Sequence, residues 1–257
     1  MRRSGLGHSS VSGLEGFARD HWPWTGSGHG PLPPLLVLLT VVTGLVDAVS
    51  YVALGHVFVA NMTGNVVFLG FALAGAPGLS VWAALAAVGA FLAGALAGGR
   101  IAAQFAAHRG KLLRYATATS APLVVTAVLI AALAGQPVSA GPRYALIVTL
   151  AAAMGIQNAV ARRLAVPDLT TTVLTLTLTG LAADSKLAGG PGGHPARRLV
   201  AVAAMFTGAL IGALLVVHVD LILPLALAAS LMGVTGLVTQ RVAYEDAGWA
   251  RRPGPAG

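Results

Sequence analysis

Asp47 is an acid in the middle of an apolar run, Leu35 to Leu54. A carboxylate at the centre of a bilayer-spanning helix costs about 2.5–3.5 kcal/mol on insertion scales. It is therefore expected to face partners or a water-filled path. A second polar group follows in Asn61-Met62-Thr63-Gly64-Asn65, again inside apolar sequence. Asp47, Asn61, Thr63 and Asn65 form the first candidate constellation. A buried carboxyl group can exist as an anion or as a neutral acid, and switching between the two is how proton-coupled carriers work. The bland alternative is a structural acid hydrogen-bonded to a neighbouring helix.

A second constellation lies further along: Asn158, Asp168 and the threonines Thr171, Thr172 and Thr175. Pro167-Asp168 has the form of a helix start, with Asp168 near the N-cap. Thr171 and Thr175 share a face at i, i+4. Such a stripe could line a pore, or its hydroxyls could bond back to carbonyls of their own helix. Half-helix N-termini at this depth would favour an anion. Asp47 and Asp168 argue instead for a cation, a proton or a polyhydroxylated solute. The residues alone leave that choice open.

The elements that must position these groups are set by composition. Hydrophobic residues make up 56% of the 257 residues and charged residues 9%. The mean hydropathy is +0.80. Globular domains carry about 25% charged residues, so this chain cannot cover a water-facing surface. The net charge of +8 is not a nucleic-acid signature, because Lys and Arg fall between apolar runs. Cys is absent, which removes disulfides, Cys metal sites and thiol chemistry.

Apolar segments fall near 34–55, 57–76, 80–104, 116–134, 143–162, 168–184, 198–217 and 220–240. No alternating barrel pattern recurs, so helices are expected, since lipid requires backbone groups to be satisfied internally. Residues 1–33 and 241–257 read as disordered cytoplasmic tails. The basic links around 108–114, 163–166 and 186–197 are expected in the cytoplasm. A full crossing by 168–184 would put two basic links on opposite faces. A re-entrant helix that returns to the same side avoids this, provided it is buried in protein.

An internal repeat points the same way. Gly44-Leu45-Val46-Asp47-Ala48-Val49 resembles Gly155-Ile156-Gln157-Asn158-Ala159-Val160, about 111 residues later. The stretch Ala90–Gly98 resembles Ala204–Gly212. Chance similarity between Ala/Leu/Gly-rich helices is the competing explanation. With three spans and one short or re-entrant helix per half, residues 34–134 and 143–240 would form an inverted repeat. The fold class expected is therefore all-α: a polytopic transmembrane helical bundle.

No P-loop, nucleophile elbow, dinucleotide fingerprint or zinc-protease spacing occurs in a plausible context. No catalytic residues, metal site or cofactor are assigned. At the motifs already quoted the chain resembles the YoaK-like family of bacterial inner-membrane proteins. The resemblance rests on Gly44, Asp47 and Ala48, on Val57–Asn65, and on Met154-Gly155-Ile156-Gln157-Asn158-Ala159. Arg163, Pro167-Asp168-Leu169-Thr170-Thr171-Thr172 and Thr179-Gly180-Leu181 complete it. It implies a multi-pass protein of the cell inner membrane, without a settled substrate. The function expected is transport of a small solute or ion, with the site between the repeats. A membrane-embedded enzyme and a non-catalytic scaffold are the alternatives. The partners expected are the lipid bilayer and an unidentified solute, with a homo-oligomer possible and no nucleic acid.

Overall fold

The computed structural model describes Trp24 and residues 28–135, 137–167, 169, 174–190, 194–242 and 248–250. In chain order the helices are α1 (Leu32–Ala53), α2 (Met62–Leu73), α3 (Val81–Gln104), α4 (Arg109–Ala134), α5 (Ala140–Leu164), α6 (Leu174–Ala183), α7 (Pro195–His218) and α8 (Ile222–Val242). Six of them are long and apolar enough to cross a membrane. At 1.5 Å per residue, α2 and α6 reach only about 18 and 15 Å, short of an apolar core of about 30 Å. The described secondary structure is helical, so the all-α bundle holds.

Several expected boundaries move for local reasons. The segment begun at 57 becomes a helix only at Met62. The β-branched and aromatic run Val57-Phe58-Val59 stays non-helical after Gly55 and His56, both of which have positive φ. The segment begun at 116 starts instead at Arg109, because His108 Nδ1 accepts from the Lys111 amide at 3.2 Å and caps the helix. The basic link is thus the first turn of α4. Of the segment 168–184, the described helix covers Leu174–Ala183.

The helices pair in a crossed pattern. α1 packs chiefly on α7, and α3 on α5. Small residues make both crossings close. A Cβ on Gly44 would meet the backbone of Met205 and Ala209, and one on Gly155 would meet that of Phe91 and Ala95. Gly208 faces Val41 as Gly94 faces Ala152. A Cβ on Gly212 would lie 2.9 Å from Ala48 Cβ, and one on Gly98 would lie 3.0 Å from Ala159 Cβ. Backbones in contact gain dispersion energy, which replaces the hydrophobic drive that lipid removes.

Each end of the bundle gathers particular segments. At the basic end, Trp24 Nε1 donates to Pro167 O at 3.3 Å, and the Arg197 guanidinium lies 5.9 Å from the Trp24 ring centre. Arg109 donates to Leu164 O at 2.8 Å, and its amide donates to Ala250 O at 2.8 Å. Trp24 and Ala250, in stretches read as tails, are buried here. His29 Nδ1 sits 2.9 Å from Arg109 Nη2. Burial, then the Arg109 and Arg197 charges, hold the His29 pKa below its usual value. Around the other end, Gly55 lies beside Arg143, and the Ser80 and Tyr144 hydroxyls are 3.5 Å apart.

Candidate functional site

The non-helical run before α2 explains Asp47. Backbone N–H and C=O groups inside an apolar bundle need partners once the helix is broken. Asp47 Oδ1 accepts from the amides of Val59 at 3.0 Å and Ala60 at 2.8 Å. Asn65, one turn into α2, completes the work. Its Oδ1 accepts from the Phe58 amide at 2.8 Å, and its Nδ2 donates to Phe58 O at 2.6 Å. The carboxylate and the carboxamide thus replace the main-chain partners that a continuous helix would have supplied. Both side chains are buried. Asp47 Oδ2 is buried and has no hydrogen-bond partner among the described residues.

Asp47 belongs to a polar stripe on α1. Thr40, Thr43, Asp47 and Ser50 recur at spacings of three and four, on one helical face, and all are buried. The threonines turn back to their own helix, Thr40 Oγ1 donating to Leu36 O and Thr43 Oγ1 to Leu39 O. Across from them on α5, Gln157 Nε2 donates to Leu39 O at 3.2 Å and to Thr43 Oγ1 at 3.0 Å. These two acceptors fix the orientation of the amide. Its Oε1 is the second buried acceptor without a partner among the described residues.

Gln157 lines a cavity of about 10 Å³ together with Thr117 and Ser120 of α4. Both hydroxyls spend their protons on carbonyls of their own helix. The accessible lining of the cavity is apolar. A cavity this small and apolar is expected to stay dry.

The candidate residues divide clearly. Asp47, Asn65 and the Asn61 segment come together. Asn61 is the N-cap residue of α2, with no cap bond from its side chain. Thr63 and Thr175 are exposed on α2 and α6. Asn158 is half-buried, and its Nδ2 donates to Met154 O at 2.9 Å on its own helix. Asp168, Thr171 and Thr172 lie outside the described residues. Thr177 is the buried residue of α6, as Asn65 is of α2. Sequence reasoning passed over Thr43, Gln157, Thr117 and Ser120. The three-four-three spacing on α1 was the signal for the stripe, whereas nothing local marked the partners on α4 and α5.

Comparison with known proteins agrees with this architecture. A match at 34% identity over 152 residues joins the chain to the UPF0700 transmembrane protein YoaK of Bacillus subtilis (strain 168). The match covers 58% of this chain and 65% of that protein's length. No solved structure matches. A family model described as protein of unknown function (DUF1275) matches residues 35–238, nearly all of the helical bundle. This multi-pass membrane protein, with its acid set against a broken helix, belongs to that family.

Proposed function

We propose that the protein transports a small solute or ion across the bacterial inner membrane, through a polar site between two inverted repeats. The observation that carries the reading is Asp47. A buried carboxyl group grips the amides at the start of a short helix and keeps one oxygen spare. Protonation of that carboxyl would weaken its hold on the Val59 and Ala60 amides, since hydrogen bonds to an ionised acceptor are about twice as strong. The start of α2 would then be released, coupling proton uptake to movement of a half-helix.

The crossed contacts support the repeat. The surfaces joining residues 41–48 to 205–212 recur between 152–159 and 91–98. α5 ends and α7 begins near Trp24, while α1 ends, and α3 and α5 begin, around Arg143 and Tyr144. Each short helix therefore leaves and rejoins one end of the bundle, from opposite ends in the two halves. This supports the reading, since secondary transporters are commonly built from inverted repeats with broken helices. The small volume beside Gln157 fits a closed state. The same small volume favours the second reading, a scaffold in which Asp47 only caps α2.

The test is proton-coupled flux. A thermal-shift screen of the purified protein against ions and metabolites supplies the solutes. Proteoliposomes loaded with a pH dye then receive each solute that shifts the melting point. Wild type is expected to acidify or alkalinise the lumen with solute, while Asp47→Asn folds and inserts but loses pH-gradient-driven uptake. Uptake by Asp47→Asn at the wild-type rate across pH removes the proton role and leaves the scaffold reading of this residue.

A further inference from the structure

The two helix crossings share a register but not a surface. On the α3–α5 side, Gly99, Ala102 and Ala103 face Ala159, Arg162 and Arg163 across a groove of about 380 Å³. The volume falls within the usual range of small-molecule sites, about 300–1,000 Å³. In the register set by the matched glycines, Ala213, Val216 and Val217 stand where Gly99, Ala102 and Ala103 stand. Tyr51 and Val52 stand where Arg162 and Arg163 stand. Tyr51 stacks on Phe58 with ring centres 5.1 Å apart. The same backbone crossing therefore carries apolar bulk at one end and, at the basic end, a floor of small residues rimmed by guanidinium groups.

The groove has a polar mouth and an apolar tail. Arg162 and Arg163 are exposed in the last turn of α5, with exposed Arg100 next to Gly99. From Gly99 the floor continues along one face of α3 through Leu96 and Leu92, which are 64% and 57% exposed. That stripe runs into the hydrocarbon layer, where a free anion would not follow. Basic clefts between spanning helices, near the interface, hold the head groups of acidic lipids.

We propose that this groove is a binding site for an anionic phospholipid. The phosphate lies against Arg162 and Arg163, the glycerol unit lies over Gly99 and Ala103, and an acyl chain follows Leu96 and Leu92. The small residues admit the lipid, and the arginines select its charge.

The test uses the full-length protein, delipidated in detergent and titrated with short-chain phosphatidylglycerol, phosphatidylcholine or inorganic phosphate, with the melting temperature as readout. Phosphatidylglycerol is expected to stabilise wild type at far lower concentration than either alternative. Arg162→Gln with Arg163→Gln should weaken it roughly thirtyfold, from the usual contribution of each basic residue at an acidic lipid surface. Gly99→Leu with Ala103→Leu fills the floor without altering charge, and a Cβ on Gly99 meets open space, so the fold should stand. It should weaken phosphatidylglycerol as well. Lys186→Gln with Arg241→Gln removes as much charge at the same end and should leave affinity unchanged. An equal loss in that last pair would reduce the effect to general attraction and overturn the site. So would stabilisation by inorganic phosphate at the same concentration, or an unaltered response after the floor is filled.

Discussion

α1 and α5 each make a close glycine crossing with a partner helix, yet they carry different polar residues beside it. Both lie backbone to backbone against a partner through matched glycines, Gly44 on α7 and Gly155 on α3. One turn beyond, α1 carries Asp47, which reaches out to the amides of Val59 and Ala60. α5 carries Asn158, whose Nδ2 returns to Met154 O. One position earlier the asymmetry reverses, since Gln157 reaches α1 while its counterpart Val46 is apolar and buried. The difference teaches that the crossing is a shared scaffold. Chemistry was added to it unequally, with the ionisable group on one side only.

The comparison breaks most severely at the glycines. Gly44→Leu and Gly155→Leu each drive a side chain into the backbone of the opposite helix. Each should cost at least about 3 kcal/mol, seen as loss of monodisperse protein in detergent. If the two crossings are equivalent the losses match, and full tolerance of either one would end the equivalence.

Removing the polar groups should separate the two sides. Asp47→Leu strands two buried amides at about 1–3 kcal/mol each, so thermal unfolding in detergent should show a loss of roughly 2–6 kcal/mol. Asn158→Leu gives up at least the bond to its own helix and should cost about 1 kcal/mol or more. Similar losses for both would show that Asn158 also supports main chain elsewhere.

Gln157→Leu sharpens the point further. The substitution removes two hydrogen bonds but also an acceptor that has no partner among the described residues. A dry cavity predicts a change within about 1 kcal/mol. A larger loss, with ordered density beside Thr117 and Ser120 in an experimental map, would show that the cavity holds a donor.

The smallest effect concerns the basic end. The His29 pKa is lowered in the folded state, so the unfolded chain binds the proton more readily. Stability from this contact is complete above the ordinary imidazole value. It declines as pH falls through that value towards the folded one. Trp24 fluorescence should report slight loosening below about pH 6.5. His29→Gln should flatten that profile, and an unchanged profile would remove His29 as its origin.

Much of this was legible in the residues. Low charge and long apolar runs specify spanning helices, because lipid offers backbone groups no partners. Asp47 and Asn65 stood out because polar residues in such runs need a reason. The match of Gly44 with Gly155, and of Gly94 with Gly208, was readable as a pattern before its contacts were known. Thr63 and Thr175 show the limit of that reading, since a polar type at the right depth does not say which way a short helix faces.

The sequence by itself determined the class of protein and singled out the buried acid, but not the non-helical run that the acid serves. Those are local matters of hydropathy, glycine and buried charge. Only the tertiary structure decided what the acid touches. Val59 and Ala60 are twelve and thirteen residues from Asp47, and Thr43 is 114 residues from Gln157. Such pairings depend on how helices cross, and the crossings depend on side-chain shape across distant segments rather than on any local pattern.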